Sequence, residues 1–178
     1  MVKFSAPLRS NDMKITSDYR SEARPNHFGI DFGNQSLGHP IFAAAKGTVI
    51  FSDYSGTKTE GYGNTIIIKH LDGTSSLYAH MLDNGYFKKG DKVNNRDVIG
   101  KVGNTGGSSG PHLHFEHIDE EGTKLIEKYS GNGHIGIPGS KYRLNPHDSF
   151  KKGFFIWHCE EGSNTCSECA EKDGKIFQ

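Results

Sequence analysis

Gly107-Ser108-Ser109-Gly110-Pro111-His112-Leu113-His114-Phe115-Glu116 runs from a flexible turn into a strand. Glycine and serine let the backbone bend sharply at its start. Side chains of a strand alternate faces, so His112 and His114 share one face while Leu113 and Phe115 take the other, toward a core. Two imidazoles side by side on a sheet face can share one metal ion, or divide the work between ligand and catalyst. The pair alone is equally consistent with solvated polar surface, so residues elsewhere must decide.

Far upstream, His27-Phe28-Gly29-Ile30-Asp31-Phe32-Gly33 alternates in the same way. His27, Gly29 and Asp31 fall on one face, and Phe28, Ile30 and Phe32 on the other. A histidine and an aspartate four apart, with glycine between them, can converge on a metal with no bulky side chain in the way. The carboxylate adds charge and the imidazole a neutral nitrogen. In isolation this too reads as a surface pair.

Short β-type runs fill the space between the two stretches. They are Pro40 to Ala45, Gly47 to Asp53, Thr65 to His70, Thr74 to Met81, Lys88 to Val93 and Asp97 to Gly103. Thr65-Ile66-Ile67-Ile68-Lys69-His70 is nearly continuous in apolar residues, as a well-buried strand requires. Asp72-Gly73 signals a hairpin, and alternation puts His80 on the same face as Tyr78 and Ser76. No amphipathic helix is evident. The expected fold is all-β, a mainly antiparallel sheet folded on itself with loop-rich insertions. Residues 1–26 read as polar and irregular.

The composition excludes some functions. In 178 residues, 21 Lys+Arg balance 21 Asp+Glu for a net charge of +0. That argues against nucleic acid as partner and against strong adhesion to an anionic membrane or wall polymer. Mean hydropathy is -0.63, and no run approaches the ~20 apolar residues of a membrane span. The 23 glycines suit a turn-rich β protein, and ten histidines are many for this length, neutral imidazole being the commonest metal ligand. Met1-Val2-Lys3-Phe4-Ser5-Ala6-Pro7 lacks the apolar stretch of a secretory signal. Three routes stay open: action at the site of synthesis, delivery by another route, or a signal already trimmed.

His27-x-x-x-Asp31, Leu77-Tyr78-Ala79-His80-Met81 and Gly110-Pro111-His112-Leu113-His114-Phe115-Glu116 together resemble the three signature blocks of the lysostaphin/LytM-type zinc endopeptidases. The text between them is similar as well: Ala44-x-x-Gly47-x-Val49, Gly61-Tyr62-Gly63-Asn64, Gly90-Asp91-x-Val93 and Ile99-Gly100-x-Val102-Gly103, with Asn145-Pro146 at the exit. The resemblance covers residues 24–116 almost continuously. It implies zinc held by His27, Asp31 and His114, and catalysis assisted by His80 and His112. Three protein ligands leave a fourth position for water, the mark of a catalytic zinc. It also implies an open groove and a peptidoglycan peptide as substrate, a stem peptide or a cross-bridge. Action would then be on the bacterial cell wall, in the periplasm or outside, with phage or virion delivery as one route.

The implied domain is 1–150, with loops 55–63, 83–87 and 119–141 expected to wall the groove. Among residues 1–26, Asn11, Asp12 and Asn26 are conceivable blockers of the metal, although the site is expected to be open. His39, His70, His134 and His147 read as loop or surface groups, and His117 as the one with a chance of supporting the site. Residues 151–178 form a short irregular C-terminal extension outside the resemblance. His158, Cys159, Cys166 and Cys169 there could make a second, structural zinc site, a disulfide plus one thiol, or three free thiols. Two other functions compete: a catalytically latent relative that binds wall peptide or activates another hydrolase, and a biotinyl or lipoyl type carrier. Every metal and catalytic position is filled, which removes the usual motive for the first. The second has no use for the histidine blocks.

Overall fold

Three consecutive isoleucines, Ile66 to Ile68, are fully buried, and they sit in the middle of the sheet that carries everything else. The computed structural model describes residues 2–9, 12–33, 36–136, 139–150 and 157–158. The strands are β1 (Lys14–Ser17), β2 (Ile30–Phe32), β3 (Pro40–Phe42), β4 (Gly47–Ser55), β5 (Gly63–Lys69) and β6 (Ser75–Met81). They continue as β7 (Lys92–Val93), β8 (Val98–Lys101), β9 (Leu113–Ile118), β10 (Arg143–Leu144) and β11 (Trp157–His158). The main sheet has the order β11-β1-β2-β9-β6-β5-β4-β7, with β10 also pairing β9, and β3 and β8 form a second ribbon. Every pairing is antiparallel except β1 with β11.

Alternation in β6 and β9 sorts the side chains onto two faces. Tyr78 and Phe115 are opposite in register and point into the larger core, with Phe32, Ile41, Val49 and Ile99. A smaller core on the other face gathers Ile50, Phe51, Ile67, Leu77, Ile118 and Ile126. Burial of this kind is worth about 25 cal/mol per Å² of apolar surface, which is what holds two short ribbons and many loops together.

Two expectations fail here. Within residues 1–26 the described segments enter the core: Phe4, Leu8, Met13 and Ile15 are buried. Phe4 N–H donates to Ser149 O at 2.7 Å and Ser5 N–H to Ala44 O at 2.7 Å, so the arm is tied to distant segments by its backbone. Its apolar residues are scattered among breakers, and a pattern search misses burial that does not repeat. The second failure is a helix, α1 (Glu120–Tyr129), within the expected loop 119–141. Asp119 caps it, accepting from Gly122 N–H at 2.7 Å. Only Gly122, Thr123 and Ile126 are buried, so no apolar stripe marks it. A Cβ on Gly122 would lie 2.7 Å from Ile118 Cγ2 and 2.8 Å from Tyr142 Cβ, so the residue that weakens the helical pattern is required by packing.

His117 faces the larger core, away from His114, and does not support the site. Its Nδ1 is 2.5 Å from Ser149 Oγ, its ring lies 4.7 Å from that of Phe4, and its Nε2 meets no partner among the described residues. His70, expected as a loop or surface group, is buried as well, its Nε2 2.9 Å from Ser76 Oγ. Burial first, and then the neighbouring His70, push the His117 imidazole down to about 4, against a small opposing pull from Asp72.

Phe4→Ala should cost about 3–5 kcal/mol, read as a shift of the denaturant midpoint. Unfolded His117 takes up its proton near 6.5 and the folded residue near 4. The unfolded state binds more protons in that window, so stability present above pH 6.5 is lost as pH falls toward 4. In His117→Asn this loss is absent, and the gap in melting temperature between wild type and variant should narrow as pH is lowered from 7 to 4.

Candidate functional site

Strand β9 lies between β2 and β6, and this places residues remote in sequence side by side. Asp31 is paired directly with His114, and Ala79 pairs with His114 from the other side. His27 comes into the same point from the segment before β2. Three atoms meet there: His27 Nε2 lies 3.0 Å from Asp31 Oδ1 and 3.2 Å from His114 Nδ1, which is 2.7 Å from Asp31 Oδ1. Gly29 makes the approach possible, since a Cβ there would sit 2.7 Å from His114 Cε1.

The outward bonds of both rings decide what those atoms can do. His27 Nδ1 lies 2.9 Å from Asp18 O, a pure acceptor, so that nitrogen carries the hydrogen. His114 Nε2 lies 3.0 Å from Glu116 Oε1 and donates to it. Both N–H groups are used outward, so Nε2 of His27, Nδ1 of His114 and Oδ1 of Asp31 turn lone pairs toward one another. Such a cluster repels itself unless a cation or proton lies between, and these three residues can hold a metal ion. Without a metal, a proton does the work. Burial alone would lower the His114 imidazole, but bonds to Asp31 and Glu116 raise it to about 9. Burial would raise the Asp31 carboxyl, and His114 and His27 outweigh it, holding it far below the usual carboxylate range.

Glu116 is itself buried and held on both oxygens. Tyr62 Oη donates to Oε1 at 2.6 Å and Arg143 Nε donates to Oε2 at 3.1 Å. Glu116, Tyr62 and Arg143 were not singled out from the sequence. One signal for Glu116 existed, because it stands two residues after His114 and therefore on the same strand face. Arg143 joins from β10, and nothing local in the sequence marks it.

His80 reaches the site against strand alternation. Tyr78 and Ser76 point into the larger core, where the Ser76 hydroxyl donates to Tyr78 Oη at 3.0 Å. The expected shared face is therefore wrong for His80. Its φ of 57° is left-handed, and between Ile66↔Tyr78 and Asn64↔Met81 the strand β6 carries one extra residue. This bulge swings the ring round to the face of His114, 5.8 Å between ring centres, and to 4.7 Å from His112. A bulky residue in left-handed backbone carries strain that the surroundings must sustain. His80 Nδ1–H donates to Thr105 O at 2.8 Å and His112 Nδ1–H to Gly110 O at 2.9 Å. In the neutral form of each ring Nε2 is then the nitrogen without hydrogen, and that of His112 lies 3.7 Å from Asp31 Oδ1. Burial first, then the nearby His114 and His112, push His80 down to about 4, so it is neutral at pH 7.

These residues floor an open groove of about 640 Å³, lined also by Thr16, Ser17, Arg24, Tyr62, Ser109 and Pro111. The loop at 55–63 contributes Gly61 and Tyr62, as expected, whereas the described residues of 83–87 and 119–141 are not among the lining. The wall opposite is built by 107–111. Of the conceivable blockers, Asp12 is engaged by His39 at 2.6 Å, Asn26 is exposed, and Asn11 lies outside the described residues. His147 bonds Asp18 at 2.7 Å. In the C-terminal extension, His158 pairs through its backbone with Ile15, and Cys159, Cys166 and Cys169 lie outside the described residues, so nothing in the structure supports a second metal there.

The profile of Peptidase family M23 matches residues 25–125, a span from just before His27 to the middle of α1. The DD-carboxypeptidase/endopeptidase Mpg of Neisseria meningitidis serogroup B is 41% identical over 90 residues, 51% of this chain and 19% of Mpg. The peptidoglycan DD-endopeptidase ShyA of Vibrio cholerae is 38% identical over 93 residues, 52% of this chain and 20% of ShyA. The chain thus spans about a fifth of the length of these relatives. Among solved structures, the catalytic domain of the antimicrobial peptidase lysostaphin from Staphylococcus simulans superposes with a TM-score of 0.60 at 26% identity, covering 82% of this chain and 97% of that domain. The fold expected from the sequence is the fold of that domain, and the chain belongs to peptidase family M23.

Proposed function

We propose that the chain is a zinc-dependent endopeptidase that hydrolyses peptide bonds in bacterial peptidoglycan, acting on the cell wall. One observation carries the reading. Three lone-pair donors converge on a single point, and two further histidines, each with Nδ1 held by a backbone carbonyl, line the same groove. Family membership and the printed activity of ShyA support the choice of reaction and substrate. Residues 1–150 are read as the peptidase domain and 151–178 as an extension to it.

His27 Nε2, Asp31 Oδ1 and His114 Nδ1 are proposed to hold the zinc. Two nitrogens and one carboxylate oxygen suit that ion and leave a coordination position open. When bound, zinc supplies a Lewis acid for a carbonyl and brings the pKa of water down to ~7. His80 and His112 handle the protons of hydrolysis: the C–N bond breaks, a C–O bond forms, and one proton moves from water to the departing amine. One imidazole takes that proton through Nε2. The other, while it carries a second proton on Nε2, donates a hydrogen bond from there to the carbonyl oxygen as negative charge gathers on it. Glu116 holds the His114 ring, and Tyr62 with Arg143 holds Glu116, which keeps the lone pair of Nδ1 aimed inward.

Asp31→Ala and His114→Ala should lose zinc and turnover together; stoichiometric zinc in either purified variant would refute the ligand assignment. His80→Ala and His112→Ala should retain one zinc per chain and lose about 10²–10⁴-fold in turnover, scored by mass spectrometry of fragments released from purified peptidoglycan. Glu116→Gln should weaken zinc binding by about 10–100-fold in competition with a chelator, with the fold retained by circular dichroism.

A further inference from the structure

Arg24 is the single Lys or Arg among the residues lining the groove, and Asp31 the single carboxylate. Two turns fix its place: Arg24 N–H donates to Ser21 O and His27 N–H donates to Arg24 O, both at 3.0 Å. Its Nη1 donates to Ser17 Oγ at 2.8 Å and to Asp31 Oδ2 at 2.9 Å. The other oxygen of that carboxylate belongs to the metal-binding cluster. The guanidinium therefore lies one carboxylate away from the reacting centre. Both hydrogens of Nη1 are used, whereas those of Nε and Nη2 have no acceptor among the described residues. The side chain is 56% exposed, so this free edge is open to the groove's solvent.

We infer that Arg24 is a specificity determinant, whose free guanidinium edge pairs with a carboxylate on the bound peptide. This rests on the peptidoglycan reading and narrows it to carboxylate-bearing stem peptides, in preference to an uncharged glycine bridge. The chemistry favours this assignment. A planar fork of N–H donors matches a carboxylate in a two-point contact. A divalent cation, Arg24 and Asp31 together give the groove a net positive charge, which draws an anionic peptide to it. Holding Asp31 needs only Nη1. A residue serving that contact alone has no use for a half-exposed second edge beside the scissile bond.

The test compares three substrates on the full chain: a stem-peptide dimer with free α-carboxylates, the same dimer amidated at those positions, and a pentaglycine-bridged dimer. The first should be preferred by about tenfold in kcat/KM, the size expected for one exposed charged hydrogen-bond pair, with the difference in KM. In Arg24→Gln the ratio between the first two should collapse to about one. Arg24→Lys should keep part of it, because the charge stays and the fork is lost. Zinc content is measured for each variant, so that loss of metal is separated from loss of recognition.

A second arm needs no turnover. Calorimetry on the zinc-free protein, with an uncleavable stem peptide in carboxylate and carboxamide forms, should show tighter binding of the carboxylate in wild type and equal binding in Arg24→Gln. Equal use of free and amidated substrates by wild type would overturn the inference and leave the hydrolase reading intact. So would a preference that survives in Arg24→Gln. If wild type cleaves none of the three, the hydrolase reading fails, and the binding arm still decides for or against Arg24.

Discussion

Everything in this structure serves one electrostatic arrangement: three lone pairs brought within hydrogen-bonding distance of each other in a place water barely reaches. Unaided, such a cluster is unfavourable, because each atom is an acceptor facing an acceptor. It is tolerated because a cation, metal or proton, can lie between. The outward bonds of His27 to Asp18 O and of His114 to Glu116 make the arrangement obligatory, since they fix which nitrogen of each ring bears the hydrogen. The raised affinity of His114 for a proton is the same fact in another form.

The sheet supplies the distances. With β9 between β2 and β6, strand pairing brings Asp31 and His114 together, the segment before β2 adds His27, and Tyr78 and Phe115 of β6 and β9 fill the core face. His80 departs from the ladder at the site, through a bulge and a left-handed backbone. That local strain is sustained by the well-paired strands around it, which is how a position out of phase with its strand delivers a ring to the working face.

Behind the ligands lies a second layer of charge. Glu116 is a buried carboxylate, costly to desolvate, and it is held by the Arg143 guanidinium and the Tyr62 hydroxyl as well as by His114. Burial would raise its carboxyl, and these partners keep it below the ordinary range. At the rim, Arg24 donates through Nη1 to Asp31 Oδ2, and its side chain is more than half exposed.

Much of this was legible before any coordinates. Strand alternation in His112-Leu113-His114-Phe115 assigned His114 to one face and its apolar neighbours to the core, because a period of two is a property of the extended backbone itself. Asp31 of β2, with His27 and Gly29 just before that strand, follows from the same rule. What alternation cannot see is a break in its own period, so His80 was placed on the wrong face. It also cannot see α1, anchored by one isoleucine and two small residues, or the N-terminal arm, whose apolar residues do not repeat. Arg143, His117 and Arg24 share a further reason. Their roles are set by contacts with residues distant along the chain, and a side chain that bonds across the fold leaves no mark in its own neighbourhood of sequence. The sequence by itself determined the central strands, β2 to β9, and the residue types able to bind a metal. Only the tertiary structure decided which nitrogen of each ring points inward, which charges support it, and which cation is left facing the groove, because those depend on distances that strand pairing alone creates.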